Sequence, residues 1–165
     1  MKRQYNEFIN WANENGWNIV LKSQYQLYLD DSLVTRYKGF PFEYEEFMKM
    51  VKQCITPSEK TWFICEDEYN NKSDIAFKWN EFELLSLDAA GDDDEWKSEI
   101  TIWWDKHLPI LMSVDNGYSF YAIDLADNIG SIVQGYEPEF EEVEIVAQNL
   151  EEFFELIMSN KIKLL

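Results

Sequence analysis

The side chains able to do chemistry in this chain are carboxylates. Its 32 Asp and Glu stand against one histidine, His107, and two cysteines, Cys54 and Cys65. Nucleophilic catalysis needs a base beside a nucleophile, and no spacing marks a serine or either cysteine as the partner of His107. His107 precedes Leu108-Pro109 at an expected helix end. A histidine there caps or packs, stabilised by the negative end of the helix dipole. One His and two distant Cys cannot close a zinc site. Gly39, Gly91 and Gly130 stand alone, so no glycine-rich loop cradles a phosphate. Asp92-Asp93-Asp94-Glu95 offers the oxygen ligands that calcium takes, but without the alternating spacing and central glycine of an EF-hand loop. It reads as a solvated acidic turn ahead of a helix. A glycosidase-like carboxylate pair can be drawn almost anywhere among so many acids, which makes that signal worthless. No enzymatic activity, metal or cofactor is expected.

Charge is the more informative property. The net charge is −18, and residues 81–165 hold 20 acidic and 4 basic side chains against 12 and 10 in residues 1–80. Such a field repels nucleic-acid backbones and anionic membrane surfaces. It attracts a basic protein and speeds its approach. Two clusters are the candidate contacts: Asp92, Asp93 and Asp94, and the run Tyr136, Glu137, Glu139, Phe140, Glu141 and Glu142 around Pro138. The second alternates aromatics, which supply contact area, with carboxylates that match a basic partner, and Pro138 stiffens it. The plainer reading of the same run is an exposed loop kept soluble by its charge.

The elements that must position these residues follow from periodicity. Tyr5, Phe8, Ile9 and Ala12 make a helical stripe closed by Gly16. Trp17 to Leu29 is open between strand and helix. A short helix is expected over Ser32–Tyr37 with Asp31 as N-cap. Pro41 opens another, burying Tyr44, Phe47, Met48 and Val51. Trp62–Cys65 reads as a strand and Trp79–Ala90 as a short helix. Trp96, Ile100, Trp103 and Trp104 recur at helical spacing until Pro109. The period then changes. Ile110, Met112 and Val114 alternate, Asn116-Gly117 supplies a hairpin turn, and Tyr118–Leu125, Ser131–Gly135 and Val143–Val146 continue as strands. Asn149 caps a last helix with Leu150, Phe153, Phe154 and Ile157 inward. Helices before an antiparallel meander, with one helix after it, make an α+β fold.

Length and composition set the frame. A chain of 165 residues with 46% hydrophobic and 16% aromatic content buries a core as one domain, 1–165. No apolar run reaches the ~18–20 residues of a membrane span. No apolar stretch follows the charged Met1–Glu7, so no secretory signal is expected. Two reduced thiols then fit a cytoplasmic protein.

The ordered set of motifs over about 33–158 resembles the SUKH superfamily, bacterial immunity proteins related to a fungal regulator of cell-wall synthesis. Leu33–Tyr37 leading into Phe40–Phe47 is similar to the family's Pro-x-x-Tyr-x-x-Phe helix. Tyr118–Leu125 is similar to its strand ending in an aspartate. Ser131-Ile132-Val133 follows a glycine turn, and Val146–Phe154 is like its closing helix. Two features depart from the pattern: Val51–Ile55 stands where Asn-Gly-Gly is common, and Asn149-Leu150 where Ser-Phe is common. The resemblance implies a non-enzymatic protein that neutralises a toxin domain, often a basic nuclease or deaminase, by covering its active or nucleic-acid-binding surface. The alternatives are a small carboxylate-dependent hydrolase and a peptide-binding scaffold.

Overall fold

The apolar stripe of Tyr5, Phe8, Ile9 and Ala12 is the buried side of α1 (Lys2–Glu14), and Gly16 follows it at φ +80°. The computed structural model describes residues 2–164. After α1 come β1 (Asn18–Leu21), α2 (Asp31–Arg36), α3 (Phe42–Met50), β2 (Val51–Ile55), β3 (Thr61–Phe63) and α4 (Glu66–Tyr69). Then follow α5 (Glu81–Ala89), α6 (Asp94–Asp105), β4 (His107–Ser113), β5 (Ser119–Asp124), β6 (Ile132–Tyr136), β7 (Glu144–Ala147) and α7 (Leu150–Met158). The strands form one seven-stranded sheet in chain order, antiparallel at every step. The fold is α+β, with a helix after the last strand.

Both faces of the sheet are covered at its centre, which is why all seven residues of β4 are buried. Successive side chains of a strand point to opposite faces. On β5, Phe120 packs against Trp104 and Phe82, while Tyr121 packs against Phe153 of α7. Phe8, Phe47, Phe63 and Phe154 interlock on the α1–α3–α7 side. The opposite face belongs to α5 and α6. Pro109 lies inside β4, where a proline is tolerated only at an irregularity. The β4–β5 register shifts between Pro109 and Leu111. Two buried phenols add donors here: Tyr69 donates to Pro109 O at 2.5 Å, and the Tyr44 hydroxyl sits against the carbonyls of Ile64 and Ile110, the latter also accepting from Ile64 N.

Several local expectations need correction. Pro109 does not end the helix; α6 stops at Asp105 and the proline joins the strand. Val51 opens β2 rather than continuing α3. The second helix begins at Asp31, with Asp30 in the cap position and making no capping bond. Glu66–Tyr69 is a short helix, with the Glu68 carboxylate accepting from Cys65 N at 2.9 Å. It clamps the long connection from β1: Tyr28 N donates to Glu66 and Asp30 N to Asn70. The turn at Asn116-Gly117 is as expected, with both residues in the left-handed region at φ 53° and 100°.

Gly135 in β6 is required by close approach. A Cβ there would lie 2.6 Å from the Phe120 ring and 2.6 Å from the Phe140 carbonyl oxygen. Gly135→Ala is therefore expected to lower unfolding free energy by about 1–3 kcal/mol, as overpacking does. Urea denaturation checks this; an unchanged midpoint would show that the β6–β7 loop is not pressed onto Phe120.

Candidate functional site

The first acidic cluster begins α6. Asp93 caps the helix, its carboxylate accepting from Trp96 N at 3.0 Å. Asp92 and Asp94 are exposed and make no hydrogen bond or ion pair among the described residues. Asp94 and Glu95 in the first turn suit the positive end of the helix dipole. Trp96, at helical spacing with the buried Ile100 and Trp104, is 47% exposed.

The second cluster divides into an inner and an outer half. Phe140 is buried and stacks on Phe82 of α5 at 4.7 Å between ring centres. It is a core residue, which corrects its assignment as a partner contact. Glu141 is also drawn inward, accepting from Trp104 Nε1 at 3.1 Å and Ser86 Oγ at 3.2 Å. It satisfies two donors of the α5–α6 layer and is not free to meet a partner. Glu137 folds back to accept from Tyr118 N at 3.2 Å, although it remains exposed. Tyr136 is exposed, with its hydroxyl donating to Glu144 at 2.6 Å. Glu139 and Glu142 point outward without partners among the described residues. The loop thus buries one aromatic and one carboxylate and offers the others to solvent.

Both clusters lie on the α5–α6 side, along with Glu99 and Glu144, which the sequence did not single out. Glu95 and Glu99 of α6 and Glu144 of β7 are exposed, as are the apolar Leu84 and Leu85 of α5, Trp96 and Ile102 of α6 and Ile145 of β7. Glu95 ends the acidic run that opens α6, and Glu99 and Ile102 follow it at helical spacing beyond that run. Only three carboxylates of residues 81–165 form ion pairs among the described residues, and each takes its base from residues 1–80: Glu83 and Asp105 with Arg36, Asp115 with Lys60. Against the remaining carboxylates, residues 81–147 offer only Lys97 and Lys106, so the field on this side stays acidic.

His107 borders a cavity of about 500 Å³ between the end of α6 and the strands. Its Nδ1–H donates to the Trp103 carbonyl at 2.7 Å and its ring stacks on Trp103 at 3.8 Å, as a capping and packing residue would. Burial lowers its pKa, outweighing the raising effects of the Trp103 bond and Asp124. Asp124 faces it in the β4–β5 register. Burial would raise the Asp124 pKa, yet it lies below the usual value because the backbone N–H groups of Ala126, Asn128 and Asp127, and then His107, favour the carboxylate. These bonds make Asp124 a turn clamp. No Ser, Thr or Cys lines the cavity. Cys54 and Cys65 are both free and buried, and burial raises both thiols well above their ordinary range. Among the described residues no group of three His, Cys, Asp or Glu is placed to hold a metal.

No family model matches the chain, and no curated protein or solved structure matches it either.

Glu141→Ala should lower stability by about 1–3 kcal/mol, because it strands the Trp104 indole N–H, whereas Glu142→Ala should change little. Paired urea titrations check the contrast, and equal effects would contradict the inward role of Glu141. The His107 shift has a sign that can be measured. Its folded pKa lies below the unfolded value of about 6.5, so its contribution is complete above that pH. It is lost as pH falls, because the unfolded chain takes up the proton first. The fall in wild-type stability from about pH 7 to 5 should be shallower in His107→Gln.

Proposed function

We propose that this chain is a cytoplasmic immunity protein that binds a basic toxin domain and covers its active or nucleic-acid-binding surface. The observation that carries the reading is the set of unpaired carboxylates on the α5–α6 side, with exposed apolar side chains among them. Nuclease and deaminase domains that hold nucleic acid present basic surfaces, and an acidic face competes for such a surface by complementary charge. The SUKH resemblance supports the same reading, and the residues that carry it lie on or beside α2, α3, β5, β6, β7 and α7. No helix of the described residues is long and apolar enough to cross a membrane.

The test is to read the genes beside this one and co-express the chain with any basic nuclease or deaminase domain they encode. This chain should restore growth and co-elute with the toxin; growth arrest that persists, with no complex formed, would reject the reading. Reversing Asp92, Asp94, Glu139 and Glu142 to Lys should weaken the complex without loss of fold. Each desolvated, hydrogen-bonded charge pair that is broken costs about 2–5 kcal/mol of binding, while exposed positions move stability by only about 0.5 kcal/mol. Reversal of Glu7 and Glu14 is the control. Equal weakening by both sets, read by titration calorimetry, would mean that only net charge acts.

A further inference from the structure

β7 ends the sheet and has one neighbour, β6. Asp124 N donates to Ser131 O and Glu137 N donates to Tyr118 O. Hydrogen-bonded and non-bonded pairs alternate along an antiparallel ladder, so Val133 directs its main chain to β5 and Gln134 directs its own to β7. Gln134 pairs with Glu144 and Val133 with Ile145. The N–H and C=O of Ile145 therefore face outward. No backbone or side-chain group among the described residues bonds to them.

An open strand edge is a template for another strand, and proteins commonly blunt such edges with lysine or proline. This edge carries neither in Glu144–Ala147, and the stretch 107–160 contains no Lys or Arg at all. Glu142, Glu144, Glu151 and Glu152 flank it instead. Two copies pairing here would set like charges against each other, whereas an extended basic segment would meet opposite charge. The other edge differs: β1 runs into Lys22 and lies beside Lys52 of β2.

The cavity beside His107 adjoins this edge. Val143 and Ile145 form its strand side and Trp103 its helix side, with the carboxylates of Glu99 and Asp127 among its lining. Lys106 is the one opposing cation of that lining, and the oxygens of Asp124 are already taken by its turn. Neighbouring strands lie about 4.8 Å apart with side chains in step on each face. A strand added to β7 would thus present alternate side chains beside Ile145, over the cavity. The apolar stem of a Lys or Arg fits against Val143, Ile145 and Trp103 while its head reaches the carboxylates.

We propose that the free edge of β7 and the adjoining cavity receive an extended basic segment of the partner, added as an eighth strand, with one Lys or Arg side chain entering the cavity. In this mode main-chain hydrogen bonds give affinity and the pocket for alternate side chains gives specificity. The proposal deepens the basic-partner reading and rests on it.

The test uses the full chain and a fluorescent seven-residue peptide alternating valine and arginine, followed by anisotropy at low salt. Binding should weaken at least about tenfold for Glu99→Lys/Asp127→Lys and for Ile145→Pro, which removes the outward N–H together with the Ile145 wall of the cavity. The same peptide N-methylated at alternate residues should lose a similar factor against the unaltered chain, which keeps the test decisive if Ile145→Pro fails to fold. The Ile145 amide should gain protection from hydrogen exchange when the unmodified peptide is bound. Binding that falls with salt but ignores N-methylation and Ile145→Pro would overturn the edge proposal and leave the acidic-face reading standing. If neither the peptide nor the toxin domain binds, both fail together.

Discussion

The fold depends on a strand that has no solvent side. Every residue of β4, from His107 to Ser113, is buried, so the sheet needs cover on both faces. That requirement distributes the helices. Aromatic side chains of α1, α3 and α7 pack one face through the Phe8, Phe47, Phe63 and Phe154 group, and α5 and α6 close the other through Phe82 and Trp104. Burial also removes water from the backbone, where an unpaired carbonyl costs about 1–3 kcal/mol. The phenol of Tyr69 meets that demand at Pro109, and the phenol of Tyr44 adds a second donor to the Ile110 carbonyl that Ile64 N already bonds, which ties α3 and α4 to the centre of the sheet.

Covering the second face also arranges the charge. To close the layer over Phe120, the β6–β7 loop contributes Phe140 to α5 and Glu141 to Trp104 and Ser86. Once those two residues are anchored inward, Glu139 and Glu142 are left outside, near the exposed carboxylates of α6. Arg36 is the main cation supplied to this layer, and it is used internally to join α2 to Glu83 of α5 and Asp105 of α6. That leaves Lys97 in α6 and Lys106 at its end outside any ion pair among the described residues. What remains outside is an acidic surface with apolar side chains interspersed, beside an open strand edge, which is the arrangement a basic protein would meet.

How much of this was legible varied with the kind of signal. The hairpin at Asn116-Gly117 and helix α7 were readable because local conformation decides them: two left-handed residues in one, an Asn149 cap and an inward stripe in the other. β2 was not, since Val51 continues the spacing of Tyr44, Phe47 and Met48 and becomes strand only through pairing with β1, a contact remote in sequence. Pro109 misled for the same reason, because its carbonyl is covered by a tyrosine forty residues earlier. At the candidate site the sequence located the acidic clusters but not their orientation. Phe140 and Glu141 differ from Tyr136 and Glu142 only in what lies beneath them, and that is set by Phe82 and Trp104. Ile145 gave no signal of its own, because an outward-facing amide follows from strand order and register.

The central claim is that the fold leaves a set of unpaired carboxylates on the α5–α6 side and that a basic partner binds there. Hydrogen–deuterium exchange of the chain, alone and in the presence of the proposed basic partner domain, tests this most directly. The account predicts new protection concentrated in residues 92–103 and 139–147, with the β1 edge at residues 18–28 exchanging as in the free protein. Protection centred on 18–28, or spread evenly over the surface, would contradict it.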